Sequence, residues 1–164
     1  MTPQFSAPWS RKLKLTTGVF VALLLGLPIG IAVFGGAEED LRFALGIPVL
    51  IVIGCAAFTI RGYSIEGETL YVHRLGWRTA IDLSTLREVE VRPGATAGSI
   101  RTLGNGGLFG FIGRFRNGML GAYRAFVTDA SREVVLELED DTLVVSPGEP
   151  ALFAEALERR SEPA

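Results

Sequence analysis

The chain has 164 residues, with 16 Lys and Arg against 18 Asp and Glu, which leaves room for about one ordinary domain and excludes a large multidomain enzyme. A single Cys excludes an intrachain disulfide and a single His removes most metal-ligand clusters, so a stapled secreted scaffold, a zinc site and any cofactor are not expected. The apolar excess sits in the first 60 residues; the remainder carries 12 Arg, no Lys and 15 acids, a net charge of −3, so nucleic acid is not an expected partner.

Residues 15–37 contain no charge, and their inner run 15–34 has 20 residues, which at about 1.5 Å per residue spans roughly the 30 Å hydrocarbon core of a bilayer. A second uncharged run, residues 43–60, has 18 residues, at the short end of the spanning range. Both contain Gly and Pro (Gly26, Pro28, Gly30; Gly46, Pro48, Gly54), which membrane helices tolerate. Two buried helices of a soluble core are the competing reading, but the rest of the chain is too short to wrap two helices that are apolar on every face. Gly18, Ala22 and Gly26 recur every four residues, a spacing that suits close packing within a hairpin or a dimer. Cys55 reads as a small packing residue. Neither span holds an Asp, Glu, Lys, Arg or His, which argues against a transporter or channel.

Arg11, Lys12 and Lys14 precede the first span, while the link carries Glu38, Glu39 and Asp40 against Arg42 alone, so the positive-inside rule puts the N-terminus in the cytoplasm. Arg61, Arg74 and Arg78 follow the second span and put the remaining domain on the same side. A cleaved signal peptide, with small residues at Gly35, Gly36 and Ala37, is the alternative; the apolar stretch is long for one, and the second span would still deliver the domain to the cytoplasm.

Beyond residue 60 the pattern alternates. Leu70 and Val72 face one way and Tyr71 and His73 the other in a hairpin of residues 63–66 and 69–75 turning at Gly67. Trp77, Thr79, Ile81 and Leu83 predict a third strand, Val89 and Val91 a fourth, Tyr123, Ala125 and Val127 a fifth, Val134, Leu136 and Leu138 a sixth, and residues 143–145 a seventh after a turn at Asp140 and Asp141. Ser146, Pro147 and Glu149 read as the capping box of a C-terminal helix whose apolar stripe is Leu152, Phe153, Ala156 and Leu157, with Arg159 and Arg160 at its end.

About seven antiparallel strands closed by one C-terminal helix is the order of a PH-like barrel or sandwich, although the pattern alone permits other small barrels. The segment from Gly98 through Leu108, Phe109 and Gly110, then Gly113, Arg114 and Phe115, Leu120 to Tyr123, Val127 to Asp129, and the Ser146 and Pro147 helix start resemble the bacterial pleckstrin-homology domain family. The resemblance covers roughly residues 61–158. It implies that fold and a binding or scaffolding module, often behind two N-terminal membrane spans, and it carries no catalytic residues.

Residues 94–128 hold nine of the 20 Gly, the four arginines Arg101, Arg114, Arg116 and Arg124, and no acid. Such a run implies several tight turns. A phosphate-binding P-loop fails because no Lys follows Lys14, and a dinucleotide fingerprint fails because position 109 is Phe. The run Phe109 to Ile112 is too far from an RNA-recognition strand to count, with Gly107, Leu108 and Arg114 where other residues belong. Leu108, Phe109, Phe111, Ile112, Phe115, Met119 and Leu120 either fill the barrel, the favoured reading, or meet an anionic membrane surface beside Arg114 and Arg116.

Catalysis has little support: His73, Glu137 and Glu139 read as outer-face strand residues, and Ser99 and Thr102 have no activating base nearby. The expected layout is a cytoplasmic tail 1–14, spans 15–37 and 43–60 around an external loop 38–42, a PH-like domain 61–160 with a glycine-rich insertion 94–120, and a tail 161–164. The expected protein is a multi-pass inner-membrane binding or scaffolding module, not an enzyme. Candidate binding residues are Ser99, Arg101, Asn105, Phe109, Phe111, Arg114, Phe115, Arg116 and Arg124. The expected partners are a protein, a second copy of the chain, or anionic phospholipid; a small membrane-associated enzyme or a regulatory subunit of a membrane complex is the alternative.

Overall fold

The computed structural model describes residues 3–35 and 41–161. Most of the expected loop 38–42, the cleavage residues Gly36 and Ala37, and nearly all of the tail after residue 160 lie outside them. In chain order the elements are β1 (Gln4–Ser6), α1 (Arg11–Gly35), α2 (Leu41–Ala57), β2 (Gly62–Glu66), β3 (Thr69–His73), β4 (Arg78–Asp82), β5 (Leu86–Val91), β6 (Ile100–Gly106), β7 (Phe111–Asn117), β8 (Gly121–Val127), β9 (Val134–Leu138), β10 (Thr142–Val145) and α3 (Pro150–Ser161).

Helix α1 is long and apolar enough to cross a membrane, and only 6% of its apolar stretch is buried inside the molecule. It is therefore not the core helix of a folded domain, which removes that reading of the first run. Leu15, Leu23 and Leu27 stand open around it. The apolar part of α2, Leu45–Ala57, is shorter. The two helices pack alongside each other. Gly18 and Gly26 mediate no tight contact between the two helices of one chain: a Cβ added at either would meet nothing within 4 Å.

Two sheets make up the rest, with strand orders β1-β2-β3-β4 and β5-β9-β10-β8-β7-β6. The alternation at β3 is as read: Leu70 and Val72 are buried and Tyr71 and His73 half-buried. Tyr63, Ile65, Leu70, Val72 and Ile81 from the smaller sheet meet Phe126, Val134, Leu136, Leu143 and Val145 from the larger, with Phe153 and Leu157 of α3 closing the core. The opposite face of the large sheet has its own cluster of Phe115, Tyr123, Ala125, Val127, Val135 and Val144, covered by Ala95 and Leu120. Strands β8 to β10 are thus buried on both faces, and the two clusters divide odd from even positions as period two requires.

Three expectations need correction. The described residues form ten strands rather than about seven, because the glycine-rich insertion is the hairpin β6–β7 and residues ahead of α1 supply β1. The strands are not all antiparallel: β10 lies parallel to β8, its Val144 opposite Ala125, since the β9–β10 hairpin inserts β10 between β9 and β8. The capping box does not form. Parallel pairing brings the ends of β8 and β10 together, so Ser146 Oγ accepts from the backbone N–H of Thr128 (2.8 Å) and Asp129 (3.3 Å). The helix begins at Pro150, with Phe153 N–H donating to Glu149 O (3.0 Å), and Leu152 lies outside the apolar stripe, half exposed.

The segment before α1 is fastened to the domain along its length. Strand β1 pairs antiparallel with β2, Phe5 opposite Tyr63. Gly148 N–H donates to Ser6 O (2.8 Å), Thr128 Oγ1–H donates to Pro8 O (2.9 Å), and Ser10 N–H donates to Thr128 O (3.2 Å). Ser10 Oγ in turn accepts from Leu13 N–H (3.1 Å), the N-cap that starts α1. Helix α1 therefore leaves the same folded body that α2 re-enters.

Candidate functional site

Close approach of two glycines shapes the β6–β7 hairpin. Gly104 and Gly113 face each other across the ladder, both at positive φ, and a Cβ on either would stand within 2.3 Å of the opposite backbone. The register also shifts between Arg101 and Leu103. At the tip, Asn105 bonds Leu108 through both its amide nitrogen and its amide oxygen, holding a turn in which Phe109 adopts φ +60°. That tip docks on the start of α1: Phe109 N–H donates to Thr17 Oγ1 (3.2 Å), and the Phe109 ring meets Trp9 edge to face at 5.7 Å.

The hairpin splits the apolar insertion residues between the two readings. Ile112 and Phe115 are buried, Leu108, Phe109 and Leu120 half-buried, and Phe111 and Met119 exposed. Core filling therefore holds for Ile112 and Phe115 but not for Phe111, which shares the Phe115 face of β7, its ring 6.2 Å from that of Phe115, but sits exposed at the start of the strand.

The candidate binding residues do not converge on one site. Ser99 Oγ hydrogen-bonds Tyr123 Oη (2.6 Å) and accepts from Asn117 Nδ2 (3.1 Å), a structural knot behind the large sheet. Beside it Glu133, fully buried, accepts from Thr96 N–H (3.1 Å) and from the Thr96 hydroxyl. Burial raises the Glu133 carboxyl above the usual glutamate range, against hydrogen bonds that pull it down. Nothing in the sequence separates Glu133 from the exposed glutamates nearby. Arg101 and Arg116 are exposed. Of the outer-face residues, His73 Nε2 hydrogen-bonds Ser64 Oγ (2.8 Å) and Glu139 pairs with Arg87 (2.9 Å).

Arg114 and Arg124 do come together, with a residue that the sequence marked only as flanking the second span. They stand opposite each other on β7 and β8 and line a cavity of about 710 Å³ bounded by the last two turns of α2, the inner face of β6–β8 and Arg74. Asp141 pairs with Arg124. The Arg74 guanidinium lies among the rings of Phe126 (5.4 Å), Phe58 (5.7 Å) and Trp77 (5.9 Å), with its Nε buried and without a hydrogen-bond partner. Burial lowers the Arg74 pKa from its ordinary value. Asn105 also lines it, and the remaining walls, including Ile51, Phe58 and Ile112, are apolar.

The fold that carries this cavity matches the model of the bacterial PH domain over residues 61–161, well over half of the chain. The chain belongs to the bacterial PH domain family. No curated protein and no solved structure matches it. The matched residues are β2 to α3, so β1 and the two apolar helices are additions to the bacterial PH domain, and the cavity lies where it meets α2. The family supports a binding or scaffolding module and brings no catalytic group to the site.

Proposed function

We propose that this bacterial PH domain is a membrane-tethered binding module, held against the cytoplasmic face of the inner membrane by α1 and α2 and presenting its surface there to a partner. The pairing of β1 with β2 carries this reading, because strands on either side of the two helices share one sheet. A chain that enters the bilayer at Ser10 and returns by Thr59 to the same body crosses an even number of times. The apolar, outward-facing side chains of α1, the cations Arg11, Lys12 and Lys14 at its start and the acids of the link support a cytoplasmic domain. Edge strand β6 offers exposed Ile100 and Leu103 for a protein partner or a second copy.

Two measurements test it. The full chain is expected to stay in the membrane through alkaline carbonate extraction, and a reporter fused after Ala164 to be active only in the cytoplasm. Release by carbonate, or a reporter active only outside, contradicts the reading. A photo-crosslinker at Ile100 or Leu103 then captures what meets β6.

A further inference from the structure

We propose that the cavity between α2 and β6–β8 binds one anionic phospholipid, its phosphate held by Arg74 and Arg114 and an acyl chain laid along the last two turns of α2. The proposal rests on the membrane-tethered reading and gives that module a specific ligand. Charge points to an anion. Three arginines line the cavity, and one carboxylate, Asp141, is engaged with the third, Arg124. Among the described residues no carboxylate pairs with Arg74 or Arg114, and the run from 94 to 128 contains no acid. Arg114 faces Arg124 across the ladder, a like-charge pair that a bound anion would relieve.

Arg74 points the same way. Its Nε is buried without an acceptor, and three aromatic rings hold its guanidinium near the cavity. Arg74 as a whole is only half-buried, and a phosphate diester supplies acceptors in the geometry that the terminal N–H groups of a guanidinium favour. The apolar walls select among anions. At about 710 Å³ the cavity lies within the roughly 300–1,000 Å³ of ordinary ligand sites, and one wall is a helix placed in the bilayer by the reading above. Free phosphate leaves those walls uncovered; a phospholipid covers both parts.

The test uses the full chain in detergent, offered equal amounts of dioleoyl phosphatidylglycerol and dioleoyl phosphatidylcholine, with bound lipid counted by native mass spectrometry. One phosphatidylglycerol per chain is expected. Arg114→Gln, at an exposed position that does not threaten the fold, should weaken its retention about tenfold, as should Arg74→Gln, each removing a charge-assisted hydrogen bond. Gly54→Leu, whose side chain enters the cavity where an added Cβ meets nothing within 4 Å, should also displace it. Arg101→Gln with Arg116→Gln should leave it in place, since neither lines the cavity. Equal retention of the two lipids overturns the proposal, as does retention that survives Arg114→Gln and Gly54→Leu, or loss shared equally with the Arg101 and Arg116 pair. Such failures in a chain that resists carbonate extraction remove the lipid site and leave the membrane reading standing; release by carbonate removes that reading first.

Discussion

Tyr63 and Phe126 join the two sheets through one hydrogen bond: the Tyr63 hydroxyl, on a fully buried ring in β2, donates to the Phe126 carbonyl in β8 at 2.6 Å. The same oxygen accepts from Ser146 N–H (3.2 Å), so three chain segments meet at one phenol. Burial pushes its pKa up to about 12, and it stays a donor throughout the physiological range. Tyr63→Phe leaves a buried carbonyl and a buried N–H unpaired and is expected to cost about 1–3 kcal/mol, read as a lowered melting temperature of the full chain in detergent. An unchanged melting temperature would show that water or a shifted backbone replaces the phenol.

Gly104 and Gly113 make the hairpin intolerant of any side chain. Gly113→Ala would place a Cβ 2.1 Å from Leu103 O at a φ of +136°, and Gly104→Ala one 2.3 Å from Ile112 O. Each is expected to destabilise by more than about 2 kcal/mol, while Gly118→Ala, with nothing within 4 Å, should change stability by less than about 0.5 kcal/mol. Equal effects at the three positions would mean that the two strands separate more easily than their ladder implies.

Phe115 and Phe111 lie on one strand and differ in burial, 4% against 38% exposed. Phe115→Ala opens a cavity among Tyr123, Val127 and Val135 and is expected to cost about 3–4 kcal/mol. Phe111→Ala should cost well under half of that, by the same thermal melt. The reverse order would mean that Phe111 is covered by a surface outside this chain.

Glu133 makes stability depend on pH in the direction opposite to an ordinary paired carboxylate. Its folded pKa is raised by burial, so the folded chain holds the proton more tightly than the unfolded chain does. That contribution is present at low pH and is lost as pH rises from the ordinary glutamate value through the folded one. Against Glu133→Gln, which lacks the titration, the wild-type melting temperature should be relatively highest near the bottom of this window and fall by pH 8. A difference that is flat or grows with pH contradicts the assignment.

What the sequence determined by itself was whatever repeats locally. The uncharged runs located α1 and α2, period-two alternation located β2 to β5 and β8 to β10, and the stripe of Phe153, Ala156 and Leu157 located α3. The glycine wording carried the family resemblance. Hairpin β6–β7 was hidden because glycine has no side chain to alternate and its positive φ values read as turns. Strand β1 has three residues, too few for a period, and exists through pairing with a partner more than fifty positions away. Ser146 looked like a helix cap until parallel pairing of β10 with β8 set it beside Thr128, where its oxygen binds the N–H groups of another strand's end. The cavity was beyond sequence for the same reason. Arg74, Arg114 and Arg124 lie in the β3–β4 turn and two later strands, and only the β7–β8 register and the placement of α2 beside the large sheet set them around one space.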